Sequence, residues 1–177
     1  MADQELIIDS TEQERERPTD NDEQKKYYSG YKKKHSFKNM FITLPQGKDI
    51  VDVRLGDPGP TSDVSQFRAE QKKFSQDQQF RGDTGYQGEV QIRTPHKCSK
   101  KKELTAEQKD ENIAFAKQRI YVEHVIRGIK IFRVAQQRFR LRASKYHQVI
   151  RVICGLSRFR ISMLVLPNKT SLNNDTS

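Results

Sequence analysis

Three acidic residues, Asp9, Asp83 and Glu123, stand where metal-dependent chemistry could use them. Asp9 closes the apolar run Leu6-Ile7-Ile8, and Asp83 lies in the glycine-punctuated segment from Phe80 to Gly88, so both are read at the tips of strands. Glu123 falls in a helical stretch. At about 100° per residue, with Arg119 set to 0°, Glu123 comes near 40°, Lys130 near 20° and Arg127 near 80°. The apolar residues Val122, Val125, Ile126, Ile129 and Phe132 gather on the far side of that helix. The result is one acid flanked by bases, along the edge of a core-facing helix.

Phosphodiester hydrolysis near neutral pH needs a nucleophilic water and a stabilised leaving oxygen, and two metal ions roughly 3.5–4 Å apart supply both. Converging carboxylates hold such ions. Mg²⁺, with Mn²⁺ able to substitute, prefers oxygen ligands and keeps several waters, so three carboxylates suffice without His or Cys. Arg119 and Lys130 would then contact phosphates and position the strand, with Arg127 beside them. Each acid also has a plainer reading. Arg119 and Glu123 form an i,i+4 pair worth only a few tenths of a kcal/mol. Asp9, before Ser10 and Thr11, and Asp83, in Arg81-Gly82-Asp83, could each be turn residues. It is the set, not any single acid, that points to chemistry.

The elements that would carry these residues follow from local pattern. Leu6 to Ile8 reads as a short buried strand ending at Asp9, and residues 12–24 as a charged loop. Tyr27 to Leu44 suggests one or two strands, and Pro45-Gln46-Gly47 a turn before Ile50, Val51 and Val53, which makes a hairpin. Gly56 to Pro60 should break the chain before a polar helix over about Ser62 to Phe74. Phe80 to Gly88 is a strand tip and turn, and Gln91 to Thr94 a further strand. Thr105 and Gln108 have capping-box spacing, with Glu107, Asp110 and Glu111 in the first turn, so a long helix should start there and run to about Phe132. A second amphipathic helix should face Val149, Ile150, Val152, Ile153 and Leu156 inward. The expected class is α/β, a mixed sheet flanked by helices with acidic residues at strand ends. Residues 1–163 are read as one domain, with an exposed basic insertion at 97–104 and a disordered polar tail at 164–177.

Composition bounds the partners. The chain has 177 residues, a formal net charge of +10, no Trp and only 33% hydrophobic residues. Residues 1–24 are net acidic, so the remainder carries the whole positive excess. Such a body suits a polyanion, because each Lys or Arg that neutralises a phosphate releases condensed counterions. Arg133, Arg138, Arg140, Arg142 and Lys145 form a basic segment over 133–145 suited to DNA. Mere solubility is the plainer account of the same charge. Cys98 and Cys154 are isolated, which supports neither a disulfide framework nor a zinc site, and His96 beside Lys97 and Cys98 lacks the other half of one. With no signal pattern and no run approaching the ~20 apolar residues of a membrane helix, a soluble cytoplasmic chain, associated with the nucleoid and not with membrane, is expected.

Four blocks together carry a resemblance. Leu6-Ile7-Ile8-Asp9-Ser10-Thr11-Glu12 with Arg17-Pro18, Tyr28-Ser29-Gly30-Tyr31-Lys32-Lys33-Lys34-His35-Ser36, Asp83-Thr84-Gly85-Tyr86-Gln87-Gly88, and Arg119, Glu123 and Lys130 at the spacing of the last block resemble the insertion-sequence-five type transposases, which are related to Harbinger transposases. The resemblance covers about residues 5–160. It implies a ribonuclease-H-like fold with Asp9, Asp83 and Glu123 as the metal-binding triad. It also implies DNA cleavage at the ends of a mobile element, transfer of the freed 3′-hydroxyl to target DNA, and a homo-oligomer on DNA. Three departures stand out: Ala116 where a Tyr usually precedes the Arg of the last block, Ser10 where Gly usually follows the first acid, and a polar Gln78 to Gly82 where the family has an apolar strand. The family's N-terminal helical DNA-binding region does not precede the first block here. That is the form expected of a second reading frame, joined to an upstream product by frameshifting, or of an inactive truncated remnant. A non-catalytic basic DNA-binding protein, with the acids structural, is the alternative from another class.

Overall fold

A computed structural model describes residues 4–98 and 103–163. Its centre is a hairpin laid against the first strand. β1 (Leu6–Glu14) pairs antiparallel with β3 (Lys34–Thr43) from Ile7 opposite Thr43 to Glu14 opposite Ser36. β3 pairs antiparallel with β4 (Ile50–Pro58) across the turn at Pro45–Gly47, so the expected hairpin forms. On its other edge β1 meets β5 (Phe80–Arg81) in parallel, at Leu6 and Ile7 alone, and β5 meets β6 (Ile92–Arg93) in parallel. A two-residue strand, β2 (Tyr28–Ser29), pairs with the start of β3. The result is a mixed six-stranded sheet flanked by helices, an α/β fold of ribonuclease-H-like form.

The helices are α1 (Asn21–Tyr27), α2 (Asp63–Glu70), α3 (Ala106–Lys130), α4 (Arg133–Gln136) and α5 (Tyr146–Met163). Side-chain alternation along β1 divides the core in two. Ile7 joins Phe37, Phe41 and the α3 residues Val122, Val125, Ile126 and Ile129 on one face, together with Tyr146, Ile150 and Ile153 of α5. Leu6 and Ile8 join Met40, Ile42, Phe67 of α2, Phe80 and Tyr86 on the other. The α3 start is fixed by the complete capping box of Thr105 and Gln108.

Several expectations are corrected. β1 does not stop at Asp9 but continues to Glu14, and residues 21–27 form α1 rather than loop. β1 persists because its polar residues have partners. Gln13, buried, donates to the carbonyls of Val134 (2.6 Å) and Gln137 (2.9 Å) and accepts from the Tyr146 hydroxyl (3.0 Å). Arg15, also buried, lies over the rings of Tyr27 and Phe37. β4 runs on through Gly56 (φ +72°), where the pairing with β3 shifts register between Lys38–Asp57 and Met40–Arg54 and then resumes. α3 ends at Lys130, and Phe132 instead precedes α4. In α5, Ile150 and Ile153 are buried and Val149 partly so, but Val152 and Leu156 face solvent. Tyr146, Cys154 and Ser157 occupy the buried face in their place. Of the basic insertion, residues 99–102 lie outside the described residues, as does the segment 164–177.

Candidate active site

Asp9 lies in the middle of β1, not at its tip, yet it faces an open edge. β5 pairs with β1 no further than Ile7, so among the described residues the β1 edge on that side has no neighbouring strand from Asp9 until Phe139 bridges Arg15. By alternation Asp9, Thr11 and Gln13 point to the face covered by α3 and α5, and Ser10 and Glu12 to the α2 face. Both sets become accessible where the ladder stops. Asp83 enters just past β5 and opens a single 3₁₀ turn, accepting from the Gly85 amide at 2.8 Å. Gly82 is required for the approach, because a Cβ there would meet Tyr86 at 2.7 Å and Ile8 at 3.0 Å.

α3 brings Arg119, Glu123 and Lys130 to the same edge. Arg81, the last residue of β5, bonds Glu5 and Gln118 and lies over the Phe115 ring at 4.8 Å, which ties the strand before Asp83 to the helix of Glu123. Lys130 reaches Thr11, donating from Nζ to Oγ1 at 2.6 Å. Arg119 and Glu123 form a loose ion pair at 3.5 Å, with Glu123 half exposed.

Electrostatics link the three acids. Burial pushes the Asp9 carboxyl up to about 6, and the charges of Asp83 and Glu123 push it the same way. The Ser10 amide, which donates to Asp9 Oδ1 at 2.8 Å, and the Arg119 guanidinium oppose that rise. Burial lowers the Lys130 pKa, as does nearby Lys32, while Asp9 offsets part of this. The predicted residues Asp9, Asp83, Glu123, Arg119 and Lys130 thus share one electrostatic neighbourhood. They do not form a closed ligand set. Among the described residues no three His, Cys, Asp or Glu side chains stand close enough to hold one metal ion as placed. Glu123 leans to Arg119 and Asp83 to Gly85. In kind the donors fit Mg²⁺ or Mn²⁺: hard oxygens, with a carboxyl whose proton affinity is raised by its own neighbours, a burden that a cation would relieve.

The basic residues divide. Arg127 borders an apolar groove between α3 and α5, with Tyr121, Gly128 and Ile131. Arg138 is engaged by Glu14 at 2.7 Å and Glu16 at 3.8 Å. Arg133, Arg140, Arg142 and Lys145 are exposed. Their segment docks where Phe139 bridges Arg15, six residues along β1 from Asp9, a distance of roughly 20 Å.

Sequence reasoning missed the layer behind Asp9. The Ser10 hydroxyl donates to Gln66 Oε1 (3.3 Å) and pairs with the Tyr86 hydroxyl (2.7 Å), while Gln66 Nε2 donates to Asp57 (2.8 Å). Gln66 and Tyr86 are fully buried. Tyr86 could have been found from its place in the Asp83 block; a Gln on a weakly patterned helix gives no such signal. A polar cleft of about 690 Å³ opens beside this layer, lined by Ser10, Thr11, Tyr31, Lys32, Asp63 and Asp83 among others. Lys38, donating to the Thr61 carbonyl (2.7 Å) and paired with Asp63 (2.9 Å), closes its floor. His96 serves structure, pairing with Glu111 (2.6 Å) and accepting Asn112 from the start of α3. Cys154 is buried in the α5 core with its thiol pushed up to about 11, which makes it a poor nucleophile. No described helix is long and apolar enough to cross a membrane.

The family described as DDE superfamily endonuclease matches residues 8–158. A probable transposase for insertion sequence element IS702 from Microchaete diplosiphon is 32% identical over 162 residues, covering 89% of this chain. The chain spans 58% of the length of that relative. No solved structure matches it.

Proposed function

Because the chain belongs to the DDE superfamily of endonucleases, we propose that it is the catalytic part of a transposase, with Asp9, Asp83 and Glu123 as its metal-holding triad. The finer placement is the insertion-sequence-five type, on the four sequence blocks. What supports the triad is the position of Asp9. It is a largely buried carboxyl at the one stretch of β1 left open by β5, and its proton affinity is raised by burial and by Asp83 and Glu123 together. A plain structural carboxylate at such a depth would have a dedicated cation pressed against it.

When bound, two divalent ions would supply a nucleophilic oxygen at neutral pH and stabilise the leaving 3′-oxygen. The chain's own residues do the rest. Asp9 is held by the Ser10 amide and braced from behind by the Ser10, Tyr86 and Gln66 hydrogen bonds. To join the other two acids on a metal, Glu123 would exchange its loose contact with Arg119, which its half-exposed side chain leaves room for. Arg119 is then free for a DNA phosphate. Its buried Nε already lacks an acceptor among the described residues. Lys130, fixed on Thr11, sets positive charge on the opposite flank. The exposed Arg133, Arg140, Arg142 and Lys145 hold DNA farther out. Cleavage at element ends, strand transfer to target DNA and assembly of several copies on DNA complete the proposal.

The test is nicking of DNA carrying the ends of the element that encodes this chain, with Mg²⁺ or Mn²⁺. We expect nicking that a chelator abolishes and that Asp83→Asn or Glu123→Gln reduces by at least about 100-fold, given the several kcal/mol that metal-held charge supplies. Salt-sensitive DNA binding with no metal-dependent nicking would instead favour a non-catalytic DNA-binding protein.

A further inference from the structure

The Gly30–Lys33 turn between β2 and β3 displays an aromatic ring that neither core uses. Tyr31 is 86% exposed, far more than Tyr28 in the preceding strand at 43%. One exposed ring alone marks nothing, and what sets Tyr31 apart is the turn that holds it and the charge and cleft beside it. The turn that carries it is built rather than loose. Ser29, buried, accepts the Lys32 amide on Oγ at 3.3 Å, and Lys33 takes a left-handed φ of +56° to close the turn. Tyr28 anchors its base edge-on to His35, with ring centroids 5.4 Å apart.

The turn's charge and position identify the partner. Lys32, Lys33 and Lys34 follow Tyr31 directly, and the chain has no acidic residue from Lys25 to Lys48. The Lys32 ammonium lies 5.0 Å from the Tyr31 ring, and Lys32 is within electrostatic reach of Lys130. Tyr31 and Lys32 line the same 690 Å³ cleft as Ser10, Thr11 and Asp83. A π-face set among cations, at the mouth of a cleft of nucleotide-binding size, matches a nucleobase with its flanking phosphates. Paired bases inside a duplex hide their faces, so the base must be an unpaired or extruded one.

We propose that Tyr31 is a base-stacking residue. It holds one unpaired base of the DNA strand whose phosphate lies at Asp9 and Asp83, with Lys32 and Lys33 on the adjoining phosphates. This rests on the strand-cleaving reading of the same site. It adds that the substrate is engaged as a locally unpaired strand, not as intact duplex. Stacking on an aromatic ring is sequence-tolerant, so Tyr31 fixes the position of the strand rather than choosing its sequence.

The chain has no Trp, so Tyr31→Trp introduces a single reporter at the stacking position. The full chain carrying it is titrated in EDTA with a single-stranded oligonucleotide and with the matched duplex, while anisotropy of labelled DNA records binding. We expect single strand to quench the Trp emission strongly and duplex weakly. Tyr31→Ala should bind single strand about 5- to 100-fold more weakly than wild type, with duplex affinity changed less than about 2-fold, whereas Tyr31→Trp should bind it as wild type does. Bound single strand without quenching, wild-type affinity in Tyr31→Ala, or equal losses on single strand and duplex would overturn the proposal. Because the titration needs no metal and no cleavage, it separates from the nicking assay: stacking without nicking refutes the enzymatic reading alone.

Discussion

Asp9 pays for its position with stability. Its carboxyl, pushed up to about 6 by burial first and by Asp83 and Glu123 next, binds a proton more readily in the fold than in the unfolded chain. The fold therefore holds more protons than the unfolded state between the ordinary carboxylate range and pH 6. In that window stability falls as pH rises, and above pH 6 the full penalty, up to about 3 kcal/mol, persists. We expect Asp9→Asn, which keeps an oxygen for the Ser10 amide, to be more stable than wild type in EDTA at pH 7.5 and equal to it near pH 3.5. Denaturant melts at the two pH values check this, and Mg²⁺ should narrow the gap at pH 7.5 by stabilising only wild type. At this scale the acids were legible, since Asp9 follows an apolar run and Asp83 sits among glycines. Their surroundings were not. Ser10, Gln13 and Gln66 look like ordinary surface residues, and only partners distant in sequence, such as Tyr86 and Tyr146, tie them in, with Gln13 and Gln66 buried.

Among the elements, α3 was read most nearly as it is, because its cap and its apolar stripe agree with one another. Thr105→Ala removes the hydroxyl that accepts the Gln108 amide at 3.2 Å, and we expect a loss of about 1 kcal/mol by chemical denaturation. β1 was underestimated because residues 10–15 are polar on both faces, and alternation of apolar with polar is the only strand signal a sequence offers there. The structure replaces apolar burial with hydrogen bonds. Tyr146→Phe tests that replacement: it leaves buried Asn39 Nδ2 and Gln13 Oε1 without the hydroxyl that joins them, at an expected cost of about 1–3 kcal/mol in the same assay. α5 was misread for the opposite reason. Apolar residues occur on two of its sides, so periodicity could not say which is inward. Aromatic packing of Tyr146 on Phe37 and Phe139 chose the side of Ile150 and Ile153, leaving Val152, Leu156 and Phe159 exposed.

For the whole molecule, the net charge of +10 does not show which cations are left for a partner, because part of the acidic first segment pairs with the basic one. Glu14 and Glu16 neutralise Arg138, while Arg140 and Arg142 stay exposed. Composition announced a polyanion partner but could not reveal which cations are already spoken for. We expect Arg140→Ala or Arg142→Ala each to reduce the slope of log affinity against log salt for duplex DNA by about 0.9, and Arg138→Ala to change it less, in a titration across salt concentrations.

In the proposed function Asp9, Asp83 and Glu123 hold metal ions together, although as placed they do not form one ligand set. Electron paramagnetic resonance of Mn²⁺ titrated into the chain with DNA bound tests it most directly. We expect about two bound ions per chain in wild type, with Asp9→Asn, Asp83→Asn and Glu123→Gln each losing at least one. Wild-type Mn²⁺ binding in all three variants would contradict it.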